Sequence, residues 1–250
     1  MKRFEGMRVL VTGGSRGIGH ACAAAFLAEG AQVAVGGQSA ESAKRAAVDL
    51  NAVPAPGDIT TVAGCDATVS AALAAFGGLD VLINSAGVFR RERIEDTEEA
   101  TWDLVMAANV KSVQFCTRFA IPALRAARGN IVNIASESGL NGYPESSAYC
   151  ASKGAVVNLT RSMAMELAPE IRVNALCPGV IETDMSRAGF AIDGDEEAGI
   201  QAQQMAYPLQ RTGTLEESSA AILFLASAEA GFINGVALPL EGGATVGKWG

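Results

Sequence analysis

Short, nearly unbroken apolar runs alternate along this chain with longer alanine-rich stretches of helical period. The runs at 8–12, 32–35, 52–56, 79–83, 130–135, 172–176 and 236–240 predict strands. They are apolar at successive positions rather than half polar, the pattern of parallel strands covered by helices on both faces. Pro54 and Pro56 weaken the strand at 52–56, because proline removes a ladder donor, and Pro239 argues for an edge or bulged last strand. Helical stretches fall at 17–29, 41–50, 62–76, 98–124, 149–167 and 216–227. The alternation predicts an α/β fold: a single-domain, Rossmann-like, doubly wound and mostly parallel sheet with helices on both faces. No repeat, linker or compositional boundary divides residues 1–250, so one domain is expected to bind and to catalyse. The segment 184–208 breaks the rhythm. It sets Gly189, Gly194 and Gly199 among Met185, Phe190, Met205 and Tyr207, and reads as a hinged lid over an apolar ligand or as a disordered surface insertion.

The strand at 8–12 runs directly into Gly13-Gly14-Ser15-Arg16-Gly17-Ile18-Gly19 and then into a helix. Gly13 permits a tight turn, Gly17 lets the backbone approach a pyrophosphate, Gly19 lets the helix pack closely, and the helix N-terminal amides form an anion cradle. The Gly-Lys-Ser/Thr ending of an ATP phosphate loop is missing, which favours a dinucleotide. Charge narrows the partners further. With 19 Lys and Arg against 27 Asp and Glu, a net charge of -8 offers no basic field for nucleic acid. No apolar run approaches the roughly 18 residues that span a bilayer, so a cytoplasmic protein without a membrane partner is expected. Cys22, Cys65, Cys116, Cys150 and Cys177 lack C-x-x-C spacing and the sole histidine is His20, so neither a metal site nor a disulfide framework is expected.

Tyr149 and Lys153 lie four apart in a helical stretch, so both side chains leave one face. A phenol with a pKa near 10 is a poor acid or base at neutral pH. An ammonium one turn away, with a cofactor's charge nearby, would favour the phenolate and bring proton transfer into range.

Together these segments resemble the short-chain dehydrogenase/reductase family over essentially the whole chain. Thr12 to Gly19 is similar to its cofactor loop, and Asn84-Ser85-Ala86-Gly87 to its Asn-Asn-Ala-Gly segment with Ser85 in place of the second Asn. Asn109, Ser136, Tyr149 and Lys153 match its catalytic tetrad, and Pro178-Gly179 followed by Thr183 its nicotinamide-side loop. The resemblance implies that Tyr149 exchanges a proton with the substrate oxygen, and that Ser136 holds that oxygen. It also implies that Lys153 binds the nicotinamide ribose and favours ionised Tyr149, and that the Asn109 amide bends the helix or links it through water to Lys153. Ser15, Arg16, Ile18, Gln38, Ser39, Asp58, Ile59, Asn84, Ala86, Gly87 and Ile181 join Gly13, Gly17 and Gly19 as expected cofactor contacts. Asp58 is preferred to Asp66 for the adenine, since choosing Asp66 would leave too little chain for the following helix. Gly37 stands where an acidic residue would grip an NAD ribose; its lack of charge, with Arg16 near, favours NADP(H), while Gln38 in the place of an arginine keeps NAD(H) open.

For the substrate, Glu137, Ser138, Tyr143, Met185 and Phe190 join Ser136 as candidates, with Glu137 either selecting a polar group or remaining solvated. Cys150 reads as packing. The resemblance implies an NADPH-dependent carbonyl reductase of a small ketone, reversible with the secondary alcohol and similar to ketoacyl-carrier-protein reductases. An NAD-dependent alcohol or cyclic-diol dehydrogenase is the second reading, and a non-catalytic nucleotide-binding scaffold the third. A homodimer or homotetramer built on 98–124 and 149–167 is implied by the resemblance.

Overall fold

In the computed structural model, which describes residues 2–247, the apolar runs form β1 (Arg8–Thr12), β2 (Gln32–Gly37), β3 (Val53–Pro56), β4 (Val81–Asn84), β5 (Asn130–Ile134), β6 (Arg172–Pro178) and β7 (Ala237–Leu240). They make one sheet in the order β3-β2-β1-β4-β5-β6-β7, every pair parallel. Pro54, Pro56 and Pro239 lie on the two edge strands, where a missing donor faces no neighbour. Side chains alternate between two cores: Leu10, Leu82, Ile131 and Val173 point to one face, and Val9, Val11, Val81, Ile83 and Val132 to the other.

The first face is covered by α3 (Val62–Phe76), α5 (Ser112–Ala127) and α6 (Ser147–Leu167); the second by α1 (Gly17–Ala28), α2 (Ala40–Leu50) and α9 (Leu215–Ala226). The chain leaves β1 toward β2 and β3, then returns to place β4 on β1's other side. That reversal opens a crevice at the carboxyl ends of β1 and β4, where ligands of such sheets bind.

Two regions depart from the periodicity. The stretch 98–124 is not one helix: α4 (Glu99–Met106) meets α5 through a π-helical turn at Ala107–Lys111. The wider turn carries Asn109 into the interior. The segment 184–208 folds as α7 (Asp184–Phe190) and α8 (Glu196–Ala206), turned about Gly194 at φ 86°. Arg187 ties the two helices by reaching Glu182 at 2.9 Å and Glu197 at 3.4 Å. No described helix is long and apolar enough to cross a membrane. Trp249 lies outside the described residues.

Candidate active site

At the crevice, the end of β1 is stitched to the segment after β4: the Thr12 hydroxyl oxygen accepts the Ser85 and Ala86 amides at 3.1 and 3.2 Å. Gly13 follows at φ 65°, so near that a Cβ on it would stand 2.7 Å from Ala86 Cα. Gly19 is pressed against the Gly13 carbonyl, and a Cβ on Gly17 would lie 3.4 Å from the Thr183 methyl, so the glycine loop and the loop after β6 meet. The helices α2, α3, α7, α8 and α9 each begin on a capping Ser, Thr or Asp, whereas α1, like α4 and α6, starts without a side-chain cap, here at Arg16. The first-turn amides of α1 are left as donors for an anion, which fits a dinucleotide's pyrophosphate.

Around the rest of this crevice the expected contacts divide. Gly37 admits no side chain, since a Cβ there would be 2.6 Å from the Ala43 amide nitrogen; the family's ribose carboxylate has no room here. Gln38 and Ser39 are exposed beside it, with the Ser39 hydroxyl accepting the Ser42 amide to cap α2. Asp58 sits exposed just past β3, its Oδ1 held by Thr60, and α3 runs its full length behind it. Asp66 lies within α3 and accepts from Ser70. Ile59 packs partly into the core, Ile181 is buried, and the Thr183 hydroxyl caps α7. Asn84 turns its side chain into the core. Its amide is buried and donates to Thr117 Oγ1 at 3.2 Å and Asn133 Oδ1 at 2.9 Å, so its side chain braces the sheet against α5. Asn133, which donates to Thr160 on α6, extends this brace and went unnoticed in the sequence because nothing in an apolar strand marks one asparagine as a crosslink.

The tetrad residues converge from three elements. Ser136 lies two residues past β5, its hydroxyl accepting the Ser138 amide at 3.1 Å. Tyr149 and Lys153 share a face of α6, Lys153 Nζ lying 5.6 Å from the Tyr149 ring centroid. A Cβ on Gly87 would meet Asn109 Oδ1 at 2.9 Å and Lys153 Nζ at 3.7 Å, which places the Asn84–Gly87 segment against both. The Asn109 amide is fully spent: it donates to Val88 O and Ser152 Oγ, both at 3.0 Å, and accepts the Val88 amide at 2.8 Å. Asn109 thus pins the segment after β4 to α6 at the π-helical turn, the bend expected of this residue. Ser152 completes that pin and was missed; its place beside Lys153 was the available signal.

Electrostatics in this apolar setting oppose charge. Burial pushes the Tyr149 hydroxyl up to about 12, against a smaller opposing effect from the Ser136 hydroxyl, and pulls Lys153 down to about 8. Lys153 Nζ donates to the Ile134 carbonyl at 2.8 Å. The expected lowering of the phenol by Lys153 is thus not built into the protein's own groups.

Glu137 is neither at an open mouth nor solvated. It is buried, and its Oε1 accepts the Tyr207 hydroxyl at 2.7 Å. Burial raises its carboxyl to about 7; the hydrogen bond from Tyr207 and the nearby Tyr143 hydroxyl counter this in part, and Glu241 adds to it. From the ordinary carboxylate range up to about pH 7, the folded protein keeps a proton that the unfolded chain releases, so stability falls as pH rises through that window. The loss is on the order of 3 kcal/mol, and Glu137→Gln is expected to flatten it in thermal unfolding followed from about pH 5 to about pH 8.

Over Tyr149 lies an apolar roof. Phe89 meets the Tyr149 ring edge-on at 4.9 Å and the Phe190 ring at 5.5 Å, while Gly189 of α7 is so close that a Cβ would stand 2.7 Å from the Phe89 ring. Phe89, two residues past Gly87, was missed. Phe190 and Tyr207 turn inward with Val180 and Ile200, whereas Met185 and Met205 are exposed, so the four residues do not form one wall. Tyr143 is half-buried near Glu137, and Ser138 serves Ser136 through its amide.

A family model described as Enoyl-(Acyl carrier protein) reductase matches residues 13–245. The chain is 38% identical to 2-(S)-hydroxypropyl-CoM dehydrogenase 3 of Xanthobacter autotrophicus, covering 97% of this chain and 98% of that one. It is 36% identical to meso-2,3-butanediol dehydrogenase of Serratia marcescens, over 97% and 96% of the two chains. The ligand-free aldohexose dehydrogenase of Thermoplasma acidophilum superposes with a TM-score of 0.89 at 32% identity, over 98% and 96% of the two chains. An NAD(P)-dependent oxidoreductase of small carbonyl or alcohol substrates is what these likenesses establish. The chain belongs to the short-chain dehydrogenase/reductase family.

Proposed function

We propose that this protein is a dehydrogenase of a small secondary alcohol, reversible as a carbonyl reductase. The observation that carries this reading is the meeting of Ser136, Tyr149 and Lys153 beneath the Phe89 and Phe190 roof, beside the uncapped start of α1. Hydroxyl groups on one side and aromatic faces on the other suit a ligand with one reacting oxygen and a largely apolar remainder. Ser136 holds the substrate oxygen and Tyr149 takes its proton, while Lys153 binds the ribose of the coenzyme. When bound, a nicotinamide coenzyme supplies the hydride acceptor or donor. Similarity to dehydrogenases named for a hydroxypropyl group, a butanediol and an aldohexose supports the alcohol branch over the ketoacyl-carrier-protein reductase branch. The test is a panel of secondary alcohols, vicinal diols and ketones with both coenzymes, read by reduced-nicotinamide absorbance. No turnover across it would defeat this reading and leave a nucleotide-binding scaffold.

For the coenzyme, the exposed Arg16 has no side-chain hydrogen bond or ion pair among the described residues, and no carboxylate fits at Gly37 to repel a 2'-phosphate. This supports NADP(H). Arg16→Ala is expected to weaken NADP(H) binding by about 10-fold and NAD(H) binding far less. Equal losses for both coenzymes in a fluorescence titration would remove Arg16 from the explanation. Assembly as a homodimer or homotetramer in the cytoplasm belongs to the same reading.

A further inference from the structure

Tyr207, where α8 rejoins the body, is a buried phenol whose oxygen is used twice. It accepts the Val180 amide at 2.8 Å and donates to Glu137 Oε1 at 2.7 Å. Val180 lies on the loop after β6 and Glu137 follows Ser136 just past β5, so one oxygen joins the segment 184–206, the loop expected beside nicotinamide, and the strand end expected to hold substrate. The junction leaves no space for a side chain at Gly179, where a Cβ would stand 2.9 Å from the phenol oxygen. Three further titratable groups face the Glu137 carboxyl: Tyr143 ahead of α6, Tyr149 on α6, and Glu241 after β7. None is a cation. Its second oxygen, Oε2, is buried with no hydrogen-bond partner among the described residues.

We infer that Glu137 and Tyr207 form a latch that holds the 184–206 helices closed over the site, which makes Glu137 a positioning residue acting through Tyr207. The effect on turnover rests on the alcohol dehydrogenase reading; the effect on the helices does not. As a neutral acid, Glu137 accepts the Tyr207 proton donor without carrying charge into an apolar interior. As a carboxylate, with Oε2 unpaired and Glu241 facing it, it gains solvation only when the latch opens. Because burial raises its ionisation toward neutrality, the latch loosens as pH rises from the ordinary carboxylate range to about 7.

Hydrogen exchange over 184–206 in the coenzyme-free protein, corrected for intrinsic pH dependence, reads the latch directly. Tyr207→Phe should exchange about 10-fold faster there, having lost two hydrogen bonds. Wild-type protection should fall between about pH 5 and about pH 7 and level off above, while Glu137→Gln, whose amide oxygen still accepts from Tyr207, should hold its protection across that range. In turnover, KM for the alcohol should follow the same pattern with kcat changing less. Wild-type exchange in Tyr207→Phe, or a wild-type pH profile in Glu137→Gln, would overturn the latch. If the exchange behaves as expected and no alcohol is oxidised, the latch stands and the dehydrogenase reading falls.

Discussion

Replacing Tyr149 with phenylalanine is expected to lower turnover by about 100-fold or more while the fold and coenzyme binding survive. The ring supplies the packing: its edge-on contact with Phe89 at 4.9 Å and its place 5.6 Å from Lys153 Nζ are both kept by phenylalanine. Only the hydroxyl is lost, and with it the group beside Ser136 that the proposed reaction uses to take the substrate's proton. That hydroxyl is held at about 12, so alcohol oxidation at neutral pH requires that it ionise more easily once coenzyme and substrate are bound. Lys153, held at about 8 in its buried position, is charged below that value and can assist from the same helix face. Oxidation in the natural protein is therefore expected to rise with pH, and the phenylalanine variant to lose that rise along with the rate. Saturating kcat, coenzyme affinity and melting temperature, measured together, separate this from a folding defect. A variant turning over within a few-fold of the natural protein would show that the proton moves elsewhere.

What the sequence disclosed depended on how local the cause was. The strands were legible because their apolar residues serve two cores, and the two edges were marked by their prolines. The glycine loop and the Tyr149 to Lys153 spacing were legible for the same reason, since each is a short segment whose geometry follows from neighbouring residues. The π-helical turn at Ala107–Lys111 was not. Its residues are ordinary helix formers, and the turn is fixed by Asn109 bonding to Val88 and Ser152, far away in the chain. Glu137 was ambiguous because the partner that explains its burial, Tyr207, lies 70 residues further on. Asn84 carried a family expectation, and the donation of its amide nitrogen to Thr117 and Asn133 inside the core could not be read from the strand. Long-range polar pairing, rather than hydrophobic pattern, is what escaped.

Gly13→Val should weaken coenzyme binding by about 10-fold or more and cost about 2–3 kcal/mol of stability, the combined result of a left-handed backbone and a backbone clash. At φ 65° a β-branched residue is strained even in open space. Here the space is also filled, because the added Cβ would stand 2.7 Å from Ala86 Cα and 2.8 Å from its nitrogen. Relief requires the loop to move off the Ser85–Ala86 segment, which breaks the amide bonds accepted by Thr12. The displacement then passes to α1, since Gly19 rests on the Gly13 carbonyl and the first-turn amides begin at Gly17. Gly6→Ala separates the two causes: Gly6 has φ 73° but nothing within 4 Å of an added Cβ, so it should show the backbone cost alone and leave coenzyme affinity intact. Chemical denaturation and coenzyme titration of both variants check this. If Gly13→Val bound coenzyme as tightly as the natural protein, the crevice between β1 and β4 would not be where the pyrophosphate sits.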